Sequence, residues 1–158
     1  MAQTTVSIPR SNFKVEVSLN GSSWTDISGH ATGVNTSGGE QLTGEQMTAE
    51  NQYPVVVATN KVGATTVEVN VLYTESSSEA FQIVWARYEG SAKTIYVRWS
   101  PKGGASADER YVCANNAGSA VLVPIVACLP PQVDAGSGDP AMAMFRVIAP
   151  RILQEVVP

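Results

Sequence analysis

Residues 13–19 read FKVEVSL, with Phe13, Val15, Val17 and Leu19 alternating strictly against Lys14, Glu16 and Ser18. A period of two is that of a strand with one face in a core and one in water. The next residues, NGSS (20–23), supply a turn in which Asn20-Gly21 suits a tight hairpin, and WTDI (24–27) returns. The same alternation recurs in TTVEVNVLYT, through Val67, Val69, Val71 and Tyr73, and in KTIYVRWS, through Ile95, Val97 and Trp99. Two later runs, AVLVPIVACL and AMAMFRVIA, are apolar at consecutive positions and predict strands buried on both faces, with Pro124 placed at a bulge or an edge.

One segment changes period. In SSSEAFQIVWARYEG the large apolar residues Phe81, Val84, Trp85 and Tyr88 fall at i, i+3, i+4 and i+7, the stripe of an amphipathic helix. Ser76 with Glu79 fits a capping box, and Gly90 suits the C′ position. The expected architecture is mainly β: an antiparallel β-sandwich or open barrel with one flanking α-helix, formed by residues 1–158 as a single domain. SPKGGASADE and LPPQVDAGSGDP, rich in Gly and Pro, read as loops.

Composition narrows the functional classes. At 158 residues, 44% hydrophobic and 15% charged, the chain can bury a real core, and it holds no apolar run near the roughly 20 residues of a membrane helix. No membrane partner is expected. MAQTTVSIPRSNF lacks a basic region followed by an apolar one, which predicts synthesis and first use in a cytosol. A net charge of -4 argues against a protein that grips nucleic acid, because neutralising phosphates takes clustered Lys and Arg. The charge is unevenly spread. Residues 15–60 carry Glu16, Asp26, Glu40, Glu45 and Glu50 and no Lys or Arg, while residues 87–110 carry Arg87, Lys93, Arg98, Lys102 and Arg110 against Glu89, Asp108 and Glu109.

Chemistry is hard to find. His30 is the only histidine and sits in the Gly-flanked SGHATG, where a capping or exposed role is favoured over a general base. Asp108-Glu109, and Asp134 with Asp139, are carboxylate pairs in polar loop sequence and do not make a hydrolase. Cys113 and Cys128 have no C-x-x-C spacing and are expected reduced and buried. KTIYVRWSPK interleaves aromatic and basic residues, but only Tyr96 would stand outward with Arg98, and an ordinary strand with a solvated Arg is the better reading. No enzyme, metal or cofactor is indicated.

That leaves residues 33–54, GVNTSGGEQLTGEQMTAENQYP, a polar stretch too long for an ordinary connection in a compact domain. The order of SGGEQLTGE, SEAFQIVWARYEG, RWSPKGG (98–104), SGDP (137–140) and an apolar last strand ending at Pro150 resembles the major tail tube proteins of long-tailed bacteriophages, over residues 13 to 150. The resemblance implies subunits assembled into homohexameric rings that stack into a tube, with inner strands lining a channel for the tape-measure protein and phage DNA in transit. It further implies contacts with tail terminator and distal tail proteins, a place in the virion, and assembly in the host cytoplasm.

On that reading residues 33–54 are a long inter-subunit loop, and residues 1–12 and 149–158 are terminal arms. Interface candidates are Glu40, Gln41, Leu42, Glu45, Met47 and Glu50 in the loop, Arg98 and Lys102 in the basic middle, and Ile152 and Leu153 in RILQEVVP. Lumen candidates are Glu16, Glu40, Glu45 and Glu68, whose negative charge would let DNA slide without being held. A head-to-tail ring needs one surface to complement another of the same molecule, which an acidic half and a basic middle satisfy. The rivals are another ring or decoration protein of the same kind of particle and a monomeric β-sandwich binding module.

Overall fold

The computed structural model describes residues 7–9 and 11–158, so most of the expected N-terminal arm lies outside the described residues. The elements in chain order are β1 (Lys14–Ser18), β2 (Thr25–Asp26), β3 (Ala31–Gly38), β4 (Gln41–Gln46), β5 (Val55–Val62), β6 (Thr65–Leu72), α1 (Ala80–Glu89), β7 (Thr94–Ser100), β8 (Glu109–Ala114), β9 (Val123–Leu129), β10 (Met142–Ala149) and β11 (Arg151–Val156). Nine strands form one antiparallel sheet in the order β11-β8-β7-β9-β10-β6-β3, with β1 and β2 attached beside β7. β7 turns the sheet over: its Arg98 and Trp99 pair with β8, whereas Thr94 and Ile95 pair with β9. Two layers result, and their inner faces share one core, the sandwich or open barrel expected from the alternating strands.

The alternating residues make that core. Val15 and Val17 of β1, Val67, Val69 and Val71 of β6, and Ile95 and Val97 of β7 are all buried, packed with Phe145 and Val147 of β10. Each such side chain contributes roughly 1.5–3 kcal/mol by leaving water. Helix α1 lays Phe81 and Val84 into the same core, with Trp85 and Tyr88 half-covered; Phe81 stacks on Trp85 at 5.6 Å and meets Tyr73 edge-on at 5.3 Å.

Several local expectations change. β1 ends at Ser18, so Leu19 is exposed, and the tight hairpin at Asn20-Gly21 is a wider connection. There Ser18 Oγ accepts from the Gly21 N–H (2.9 Å) and Asn20 Oδ1 accepts from those of Ser22 and Ser23 (3.0 and 2.8 Å). The capping box is not made: Glu79 occupies the N-cap without a side-chain cap bond, and its Oε2 lies 3.6 Å from His30 Nε2. β9 and β10 are buried on one face only, because nothing among the described residues covers Val126, Leu129 and Met142. Pro124 stands at the start of β9 in its brief pairing with β7. RILQEVVP is no free arm: β11 pairs with β8 along its whole length, and Val157 continues the contact to Ala107 and Asp108.

Candidate assembly interface

The segment expected to be a long loop is strand. Residues 33–38 complete β3, which pairs with β6, and Gln41–Gln46 form β4, which pairs with β5 in a separate two-stranded sheet. β3 runs into β4 and β5 into β6, with the ladder carried across the break by the Gly39 N–H donating to Ala64 O (3.1 Å) and the Gly63 N–H donating to Glu40 O (3.0 Å). The result is one long ribbon whose lower half belongs to the sandwich and whose upper half, β4–β5, projects without cover. A register shift between Gln41 and Thr43 is tied by side chains: Gln41 Nε2 donates to Thr59 O and Thr59 Oγ1 to Leu42 O, each at 2.6 Å.

This ribbon is apolar where a solvated hairpin would be polar. Leu42, Met47, Tyr53, Val55, Val56, Val57 and Val62 are all exposed, Val56 and Val62 at 62%. Sheet alternation puts Val55 and Val57 on one face with Gly44 and Gln46, and Val56 on the other with Glu45. The loop candidates Glu40, Gln41, Leu42, Glu45, Met47 and Glu50 are all exposed, Glu40 at the base of the ribbon and the others on it or at its tip. Val55, Val56, Val57 and Val62 were not singled out from sequence; the run PVVVATNKV carried the signal, three consecutive valines bounded by a proline.

The other candidates sit in the body. Arg98 is an internal partner, its side chain 16% exposed: its Nε donates to Glu16 Oε2 at 2.8 Å and its guanidinium lies 3.8 Å from the centre of the Trp24 ring. Glu16, with a side chain only 10% exposed, also takes Lys14 Nζ at 3.1 Å, so the solvated-Arg reading and the lumen reading of Glu16 both give way to a covered ion pair. Burial would raise the Glu16 carboxyl, but hydrogen bonds and charge from Arg98 and Lys14 outweigh it and hold the group below its ordinary value. Lys102 is exposed at 64% yet reaches Asp108 Oδ1 at 3.2 Å. The Ala105 N–H and that ammonium hold the Asp108 carboxyl below its usual range. Ile152 packs on the core and Leu153 pairs across from Val112, both on their own subunit. Three cations of the basic middle are thus paired within the chain, Arg110 binding Glu155 at 2.7 Å beside the Arg98 and Lys102 pairs, while Arg87 keeps its charge and donates from Nε to Thr94 O at 2.8 Å.

Glu68 lies on the outward face of the layer β9-β10-β6-β3, where Arg146 Nη2 meets its Oε2 at 2.8 Å. Around that pair the face carries Asn35, Ser37, Thr66 and Asn70 towards β3, and Met142, Val126 and Leu129 towards β9. Both sides of this layer are open. Among the described residues β3 is paired only with β6, and β9 from Val126 to Leu129 only with β10.

The carboxylate pairs serve turns: Asp134 Oδ1 accepts from the Gly136 N–H (2.9 Å), and Ser137 Oγ donates to Asp139 at 3.3 Å. Cys113 and Cys128 are free and buried, and burial pushes both thiols up to about 12, with Glu89 adding to the rise at Cys128. Among the described residues no three His, Cys, Asp or Glu side chains group as metal ligands, and no helix is long and apolar enough to cross a membrane.

No known family model matches this chain, and no curated protein matches it in sequence. Solved structures do match in fold. A chain of the PVC sheath-tube complex, from an extracellular contractile injection system in the extended state, is similar over 97% of this chain and 94% of its own, at 15% identity and a TM-score of 0.64. A chain from the sheath/tube terminator of that system gives 98% and 100%, 15% identity and 0.63. One from the six-fold symmetrised baseplate of the anti-feeding prophage gives 99% and 99%, 16% identity and 0.58. At such identities what is shared is the fold, mainly antiparallel β with one helix, across nearly the full length of both partners.

Proposed function

We propose that this protein is a structural subunit of a phage-like tail tube: copies assemble into stacked six-membered rings around a channel, and the subunit carries out no catalysis. The observation that carries this reading is the β4–β5 ribbon, an uncovered hairpin of exposed valines projecting from a layer with both edges unpaired. Open edges and exposed apolar strands are liabilities that a monomer would blunt. A ring removes them, since the β3 edge of one copy can pair with the β9 edge of the next and the ribbon can bury its valines on a neighbour. Likeness in fold to chains of tube and terminator assemblies supports the same conclusion.

In this reading the layer β9-β10-β6-β3 faces the bore, which passes a tape-measure protein and then DNA without specific binding. The lining it offers is charge-balanced, with Glu68 held by Arg146 among Asn and Thr side chains. Unpaired cations that would hold phosphates are few there, so a polyanion can move through. Glu40 and Glu45 stand on the ribbon and act in contacts between copies. Terminator and distal tail proteins close the two ends, and the assembled product resides in the virion.

Replacing residues 40–62 by a short turn from Gly39 to Gly63 tests the reading. The expected product is a folded subunit that forms no tubes by negative-stain microscopy, whereas the full chain does. Loss of folding together with assembly would place the ribbon in the core and defeat the proposal. A terminator-like ring is the second reading, favoured by the likeness to a terminator chain at TM-score 0.63. It predicts discrete rings from the purified full chain and no extended tubes.

A further inference from the structure

The neck between sandwich and ribbon turns on a pair of left-handed glycines, as the Gly103-Gly104 turn of the body does. Two consecutive residues, Gly38 and Gly39, adopt left-handed backbone, with φ of +78° and +69°. Only glycine enters that region without steric cost. Space enforces the same choice: a Cβ on Gly38 would lie 2.6 Å from Ala64 O, and one on Gly39 would lie 2.7 Å from Thr65 Oγ1. The opposite strand is unconstrained, since a Cβ on Gly63 would meet only Glu40 O, at an ordinary 3.8 Å. A loose swivel leaves its backbone groups unpaired. Here bonds on both sides of the bend, Gly39 N–H to Ala64 O and Gly63 N–H to Glu40 O, clamp the two strands together.

We propose that Gly38-Gly39 is a rigid elbow, fixing the direction in which the β4–β5 ribbon leaves the sandwich. That this direction aims the ribbon at a second copy rests on the reading of the ribbon as an arm between copies. The elbow also shapes a groove, lined by Asn60 and Val62 of the ribbon and by Asn116, Pro150 and Arg151 of the body, whose width follows the ribbon's angle.

The size of the effect follows from lever geometry. Bringing the Gly38 Cβ contact from 2.6 Å to about 3.4 Å moves one strand by about 0.8 Å against a strand spacing of about 4.8 Å, a rotation of about 10°. From Glu40 to Gln46 the ribbon extends about 20 Å, so its tip shifts by about 3–4 Å.

The test is a distance measurement between spin labels on Glu45→Cys and Ala117→Cys in the isolated subunit, one on the ribbon and one on an exposed turn of the body. Cys113 and Cys128 are buried and stay unlabelled. The expected result is a single narrow distance in the parent, the same distance with Gly63→Ala, and a shift of about 3 Å or more with Gly38→Ala. Should Gly38→Ala fail to fold, Gly39→Ala carries the test, because its clash is with a side chain: it shifts the distance, and adding Thr65→Ala reduces the shift. A broad parent distribution, or unchanged distances in both elbow variants, overturns the proposal. Because this measurement needs no assembly, it stands apart from the ribbon replacement that tests the arm. A Gly38→Ala subunit whose ribbon has moved but which still builds normal tubes overturns the claim that the elbow aims it.

Discussion

β5 and β6 are consecutive strands of one ribbon, both rich in valine, and they have opposite fates. Val67, Val69 and Val71 of β6 are sealed in the core, whereas Val55, Val56, Val57 and Val62 of β5 stand in water. Local preference for extended backbone is the same in both, so the difference lies in what packs on them: β6 shares its core with Val15, Val17, Ile95 and Val97 of the other layer and with Phe81 of the helix, and among the described residues nothing covers β5. Charges divide in the same way. The body pairs Glu16 with Arg98, Glu68 with Arg146 and Glu155 with Arg110, while among the described residues Glu40, Glu45 and Glu50 meet no cation. The body closes its core within one copy while its β3 and β9 edges stay open, and the ribbon covers none of its valines.

The sharpest way to break this comparison is to damage each region. Phe145→Ala, in the fully buried middle of β10, is expected to cost about 3–5 kcal/mol in urea denaturation. Val56→Asp on the ribbon should leave the same transition within about 0.5 kcal/mol, yet abolish tube formation. A Val56→Asp subunit that unfolds early would erase the distinction between the regions.

The covered ion pair gives an intermediate effect. Arg98→Ala leaves the covered Glu16 with Lys14 as its one remaining cation and uncovers the Trp24 ring, and is expected to cost about 2 kcal/mol, more than a double Glu16→Gln/Arg98→Met replacement that removes the carboxylate as well. Thermal melts of the three proteins decide this, and equal losses from single and double variants would mean the pair is solvated.

A smaller effect is expected from pH. Glu16 and Asp108 have carboxyls held low in the folded state, so the stability they contribute is fully present above the unfolded carboxylate range, near pH 4–4.5, and is lost as pH falls through their lower folded values. Glu16→Gln should flatten the acid limb of a stability profile. The ribbon replacement should leave it unchanged, since Glu16 and Asp108 and the groups that hold them low all belong to the body.

The least change is expected at the thiols. With both pushed up to about 12, native protein should show negligible reaction with a thiol reagent at pH 8, and two equivalents once unfolded. Rapid reaction of the folded protein would mean that the body opens as readily as the ribbon is exposed.

What could be read from sequence divides along the same line. Where a strand has one dry face, alternation announces it, as in FKVEVSL, TTVEVNV and KTIYVRW, and the helix stripe of Phe81, Val84, Trp85 and Tyr88 is equally plain. β4 was missed because QLTGEQ has no face inside its own subunit, so no period is imposed on it. Pro150 punctuates the chain before β11, so its apolar residues announce a docking segment without saying whether on its own subunit or on a neighbour, and it is β8 of the same chain that they find. The partnership of Glu16 with Arg98 joins residues 82 positions apart and leaves no local mark. Among the site candidates the glutamates of residues 40–50 read as loop and stand on or beside a strand, and three cations of the basic middle, Arg98, Lys102 and Arg110, read as surface charge and pair within the chain.

The valines of β5 also set a limit on how the free chain can be kept. Three adjacent β-branched side chains on an uncovered hairpin make the kind of segment that nucleates cross-β stacking when concentration rises. Glu45 beside Val56, with Glu40 and Glu50 flanking, works as a set of gatekeepers, placing like charges in register wherever two such ribbons stack in parallel. On the reading of the ribbon as an arm between copies, a newly made pool has two outlets, productive growth or fibrous precipitation, and substituting those three glutamates by glutamine should tilt it toward the second.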